Sequence, residues 1–136
     1  MPSTPLSIQK STTFFISVPT LSQHAALAAF DGRDELEAHV RRYKTNRDLL
    51  MAGLPAAGLD RLTPAQGAFY LYADVSHLTN DSRDFCKRML AEAGVATTPG
   101  IDFDRARGAG TLRISFAGAT AEMEEAVRRL KQWRRA

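Results

Sequence analysis

The chain has 136 residues, enough for one domain that buries roughly two thirds of its unfolded surface. Its 44% hydrophobic and 24% charged content suits a globular protein. No apolar run approaches the ~20 residues of a membrane span, Met1 to Ser11 has no apolar signal core, and the expected location is cytoplasmic.

A net charge of +3 raises the question of nucleic acid. Arg41, Arg42, Lys44 and Arg47 share one segment, and Arg128, Arg129, Lys131, Arg134 and Arg135 crowd the C-terminal end. Neither group is interleaved with aromatics that stack on bases, and cations at a helix end complement its dipole. A solvated face is expected, with neither nucleic acid nor membrane as partner. The single cysteine, Cys86, has no partner for a disulfide and reads as a small core hydrophobe.

Residues 1–19 read as a frayed arm and connector. Met1 to Lys10 is polar and without period, and the β-branched and aromatic run Thr12 to Val18 stops at Pro19. Thr20 or Ser22 can cap a helix running to about Phe30, which Asp31-Gly32 ends. Asp34 with Glu37 resembles a capping box that opens a second helix. Leu36, Val40, Tyr43, Leu50 and Leu54 form its apolar stripe, and Pro55 and Gly58 close it.

From Asp60 the period changes. Ala68 to Asp74 predicts a strand. Asp81 or Ser82 caps a helix carrying Phe85, Met89 and Leu90, with Gly94 as its stop. Val95 to Thr98 predicts a short strand broken by Pro99-Gly100, and Gly110 to Phe116 predicts another after a glycine-punctuated hairpin. Thr120 is the expected cap of the last helix, with Met123, Val127, Leu130 and Trp133 on one face. The fold class that follows is α+β: a small, largely antiparallel sheet of about three strands covered by helices and preceded by two N-terminal helices.

Few residues present themselves for chemistry. His24, His39 and His77 have no metal-ligand spacing, and no metal is expected. Asp102 and Asp104 sit in a loop as turn-forming residues rather than an acid/base pair. Gly108-Ala109-Gly110 lacks the third glycine and helix of a dinucleotide fingerprint. Ser115 has no nucleophile elbow, and Gly67 reads as close backbone packing or a strand bend. Arg113 stands out, because it interrupts the apolar Leu112, Ile114 and Phe116. Strand parity makes it outward-facing, whereas burial would demand an anionic partner.

Four pieces occur in order: SVPTLSQHAALAAF (Ser17 to Phe30), PAQGAFY (Pro64 to Tyr70), GVATTPG (Gly94 to Gly100) and LRISFA (Leu112 to Ala117). Together they resemble the C-terminal domain of class I/II, aspartate-aminotransferase-like, pyridoxal-phosphate-dependent aminotransferases, from about Ile8 onward. The resemblance implies that residues 20–136 form this small domain and that Arg113 holds the α-carboxylate of an amino-acid or 2-oxo-acid substrate. It also implies a large N-terminal domain as partner and a homodimer.

The family needs a lysine that condenses with the cofactor aldehyde. Lys10, in SIQKS, superficially matches the family's S-x-x-K-S/T, but the G-W-R-like stretch that should follow is absent. No cofactor residue is therefore assigned, and the isolated chain is expected to bind no pyridoxal phosphate and to be inactive. The alternative is a non-catalytic α+β module that dimerises or binds a ligand through its exposed sheet face.

Overall fold

The computed structural model describes residues 18–134. They fall into two units, Met1–Ala38 and His39–Ala136. Within the first unit, α1 spans Thr20–Ala28. Pro19 occupies the N-cap and no side chain caps the helix, so Thr20 is its first helical residue rather than its cap. A proline is at home there because the first turn has no partner for its N–H. Gln23 instead donates its side-chain amide to the Val18 carbonyl at 2.7 Å.

Helix α2 spans Arg33–Gly53. Asp34 lies inside its first turn and not at the cap, since the Leu36 N–H already bonds to the Gly32 carbonyl. The expected apolar stripe is buried only in its second half: Leu50 and Leu54 are buried, whereas Leu36 and Val40 are exposed. Pro55 then opens a single 3₁₀ turn, Pro55–Ala57.

The second unit contains a four-stranded antiparallel sheet in the order β1-β2-β4-β3. The strands are β1 Arg61–Leu62, β2 Tyr70–Asp74, β3 Thr98–Pro99 and β4 Thr111–Ser115. The strand beyond the expected three is β1. It consists of two residues in a polar, proline-flanked stretch, too short to show a period, and pairing to β2 alone creates it. The expected strand at Val95 to Thr98 begins later. Val95 joins the core, and Thr98 and Pro99 pair with Arg113 and Leu112. Pro99 suits this edge because it has no ladder hydrogen to donate.

Alternation places Leu71, Ala73, Leu112 and Ile114 on the face that meets the helices. There they join Leu50, Leu54, Phe85, Met89, Phe116, Val127 and Leu130 in one cluster. Helix α3, Ser82–Arg88, is capped by Asp81, whose carboxylate accepts from the Arg83 and Asp84 N–H groups. It continues as a wide π turn, Met89–Ala93, and stops at Gly94 in the left-handed region, φ 65°. Met89 is buried but Leu90 is exposed, contrary to the expected face, because one residue onward swings the side chain ~100° around the axis.

Helix α4 spans Thr120–Trp133. Its N-cap is Ala119, not Thr120, and Glu122 reaches back to accept from the Ala119 N–H at 3.0 Å. That supplies half of a capping box and an acid at the positive end of the helix. Val127 and Leu130 are buried, and Trp133 reaches across to donate to Glu92 at 2.6 Å. Cys86 is buried, its sulfur 3.2 Å from the Thr97 hydroxyl, and burial pushes its thiol pKa up. No helix among the described residues is long and apolar enough to cross a membrane.

Candidate substrate-binding site

The register of the sheet decides where Arg113 points. Directly paired residues of neighbouring antiparallel strands share a face, so Thr98, Arg113 and Tyr72 form one row across β3, β4 and β2. This is the face away from the core cluster. Arg113 is thus outward and half-buried, between the buried Leu112 and Ile114.

Its guanidinium lies against two aromatic rings. Cζ is 4.9 Å from the centroid of Tyr70 and 4.1 Å from that of Phe103. Tyr70, two residues before Tyr72 on β2, is the diagonal neighbour on the same face. Phe103 arrives from the connection between β3 and β4, which holds two single 3₁₀ turns, Gly100–Asp102 and Gly108–Gly110. Among the described residues no carboxylate forms an ion pair with Arg113.

The acids nearby in sequence are already engaged. Asp104 accepts from the backbone N–H groups of Arg107 and Ala106 and from the Arg107 side chain at 3.0 Å, and these bonds hold its carboxyl below the usual range. Asp102 pairs with Arg83 at 3.2 Å. Asp74 is held low by its hydrogen bonds with Ser76, with Arg61 and His77 adding smaller contributions. Each of these carboxylates is therefore already engaged by a group other than Arg113.

An open groove of about 560 Å³ is lined by two neighbours of Arg113, Tyr72 and Phe103, and by Asp74, Asp104, Arg107 and Thr111 among others, while Arg113 itself does not line it. No lysine, histidine or cysteine lines it. Of the other candidates, Ser115 is exposed and accepts from the Ala117 N–H, and no metal-binding cluster occurs among the described residues. Gly67 does not pack closely, since a Cβ there would meet nothing within 4 Å. The other expectation, a bend before the strand, holds: the backbone bends over residues 67–69, and Ala68 within it takes φ 57°. The basic residues are partly neutralised as well: Glu125 binds Arg128 at 2.6 Å and Arg129 at 2.7 Å. Lys10 and Arg135 lie outside the described residues.

The sequence model of class I and II aminotransferases matches residues 6–130. This chain belongs to that family. The valine–pyruvate aminotransferase of Mycobacterium tuberculosis is 52% identical over 122 residues, a match covering 88% of this chain and 31% of that protein. A solved aminotransferase from the same organism superposes with a TM-score of 0.85 at 51% identity, covering 89% of this chain and 32% of that one. Aspartate aminotransferase from Thermus thermophilus, solved with maleate, gives 0.73 at 34% identity, covering 91% and 32%. The chain therefore spans about a third of the length of these aminotransferases.

Aminotransferases of this family depend on pyridoxal phosphate, and the described residues on the Arg113 face do not fit that group. Binding it covalently requires a lysine amine at the cofactor carbon. Lys44, Lys87 and Lys131 ride on α2, α3 and α4, and none lines the groove. The face has the chemistry to receive an anion but not to hold the cofactor. Phe103 escaped sequence reasoning because no pattern links a loop residue to a strand ten positions on. Tyr70 was visible as the end of PAQGAFY and by strand parity, but its contact with Arg113 was not.

Proposed function

We propose that residues 20–136 act as the C-terminal, substrate-closing domain of an aminotransferase, with Arg113 holding the α-carboxylate of an amino acid or 2-oxo acid. The observation that carries this reading is an arginine set against two rings, on the open face of the sheet, with no carboxylate partner among the described residues. A guanidinium carries five N–H donors in a planar fork that matches two carboxylate oxygens. Aromatic faces attract the cation without using those donors. Family membership and the maleate-bound Thermus relative, which holds a dicarboxylate, support the same assignment.

In this reading the lysine, the cofactor and the second subunit of a homodimer belong to the enzyme beyond this chain. The chain's own part is to bind and orient. Fixing the carboxylate sets the direction of the substrate Cα–H bond, and closure of the domain excludes water from it. The isolated chain then neither transaminates nor gives a saturable visible band with pyridoxal phosphate.

The test is a chimera in which this chain replaces the matching third of the Mycobacterium tuberculosis relative. Transamination by the chimera and its loss in Arg113→Lys support the proposal. A chimera that binds cofactor but does not transaminate, or full activity in Arg113→Lys, counts against it.

A further inference from the structure

We infer that Phe103 is a positioning residue for the carboxylate clamp: its ring fixes the Arg113 guanidinium so that the fork is already oriented when substrate arrives. This rests on the reading of Arg113 as that clamp. Phe103 is half exposed, outside the core cluster, and its centroid lies 4.1 Å from Arg113 Cζ. The Tyr70 ring, at 4.9 Å, supplies a second contact from the strand.

The two partners of this stack differ in rigidity. The backbone that carries Phe103 is braced on both sides. The N–H groups of Phe103 and Asp104 bond to the Gly100 carbonyl at 2.9 Å, and the Gly108 N–H bonds to the Asp104 carbonyl at 2.8 Å. The buried Ser82 hydroxyl donates to the Gly108 carbonyl at 2.8 Å. Gly100 and Gly108 approach so closely that neither has room for a Cβ, which locks the two 3₁₀ turns together.

Arg113, by contrast, has a long flexible stem, and no hydrogen bond or ion pair to a described residue orients its head. The stack with a braced ring therefore sets the orientation. Both rings contact the guanidinium while leaving its N–H donors unspent, the state in which a carboxylate can take two of them. Truncating Phe103 leaves the charge but frees the fork, so the ordering of Arg113 must then be met from substrate binding. Affinity for carboxylate substrates falls, and the chemistry of bound substrate does not.

The chimera assayed with L-valine and pyruvate separates these effects. Phe103→Ala is expected to raise KM for both substrates roughly three- to tenfold while kcat stays within about twofold. Phe103→Tyr restores KM, and Phe103→Leu, which keeps bulk without an aromatic face, does not. In the full 136-residue chain, the Arg113 Nε–Hε resonance should move toward its unfolded position in Phe103→Ala. Unchanged KM in Phe103→Ala alongside an impaired Arg113→Lys sinks the positioning role and leaves the clamp standing. A silent Arg113→Lys removes the clamp and this inference with it. A lowered urea midpoint in Phe103→Ala, with KM not restored by Phe103→Tyr, makes the ring structural and overturns the inference.

Discussion

Asn46 and Phe116 join helix α2 to the end of strand β4 through one fully buried amide. The Asn46 Nδ2 group donates to the Phe116 carbonyl at 3.0 Å and to the Gly118 carbonyl at 3.0 Å, 70 and 72 positions along the sequence. Phe116 itself donates its N–H to the Phe69 carbonyl at 2.8 Å. The strand that carries Arg113 is thereby tied at its exit both to β2's approach and to the helix beneath.

Asn46→Ala should leave two carbonyls short of their donor, that of Phe116 in the core and that of Gly118 partly buried. Stranding such groups costs about 1–3 kcal/mol. A urea titration of the chain should show a lowered midpoint with an unchanged slope. Asn46→Leu should do no better, because it fills volume without supplying a donor. Wild-type stability in either variant would show that the amide contributes nothing net.

Arg113→Lys should lower kcat/KM of the chimera for amino acids by roughly 10²-fold, since an ammonium cannot reproduce the two-pronged bond. The urea midpoint should stay where it is, because Arg113 lies on the face away from the core. Arg107 is the control. It is exposed and, among the described residues, pairs with Asp104 alone, and although it lines the groove it lacks the two-ring contact of Arg113, so Arg107→Ala should cost far less than Arg113→Lys. Unfolding by Arg113→Lys would make the residue structural.

The isolated chain should self-associate. Within the first unit, Val18, Leu21, Leu27 and Phe30 are exposed, and burying a large apolar side chain contributes roughly 1.5–3 kcal/mol. Phe14, Phe15 and Ile16, expected to add to this surface, lie outside the described residues. Sedimentation should report species larger than a monomer at high micromolar concentration. Leu27→Glu with Phe30→Glu should return it toward a monomer, and a monomeric parent chain would contradict the expectation.

Glu125 should leave a signature in acid. Hydrogen bonds from Arg128 and Arg129 lower its pKa from 4.5 to about 2. A carboxyl with a depressed folded pKa stabilises the fold fully above its unfolded value, and the gain is lost as pH falls through the folded value. The window is therefore from about pH 4.5 down to about 2. Because the group is exposed, the effect should be small and weakened by salt. Glu125→Gln should flatten that part of the stability profile, and a carboxyl resonance titrating near 4 would refute the pairing.

Sequence alone carried the α+β class, because long amphipathic segments and short alternating ones announce themselves by period. Strand parity also offered an outward face for Arg113, beside the reading of a buried and paired arginine, and the burial of Leu112 and Ile114 selects the outward face. The Asp81 cap and the Gly94 stop were legible for a similar reason, as both act within a turn of their own position. Tertiary structure decided what depends on partners far along the chain. Strand β1 exists only because β2 pairs with it, and the exposed first half of α2's stripe carries the same residue types as its buried second half. The Phe103 and Tyr70 contacts with Arg113 arise from a sheet register and a braced loop that bring together residues 70, 103 and 113. Local periodicity reports which face a side chain takes, and only packing sets what waits on that face.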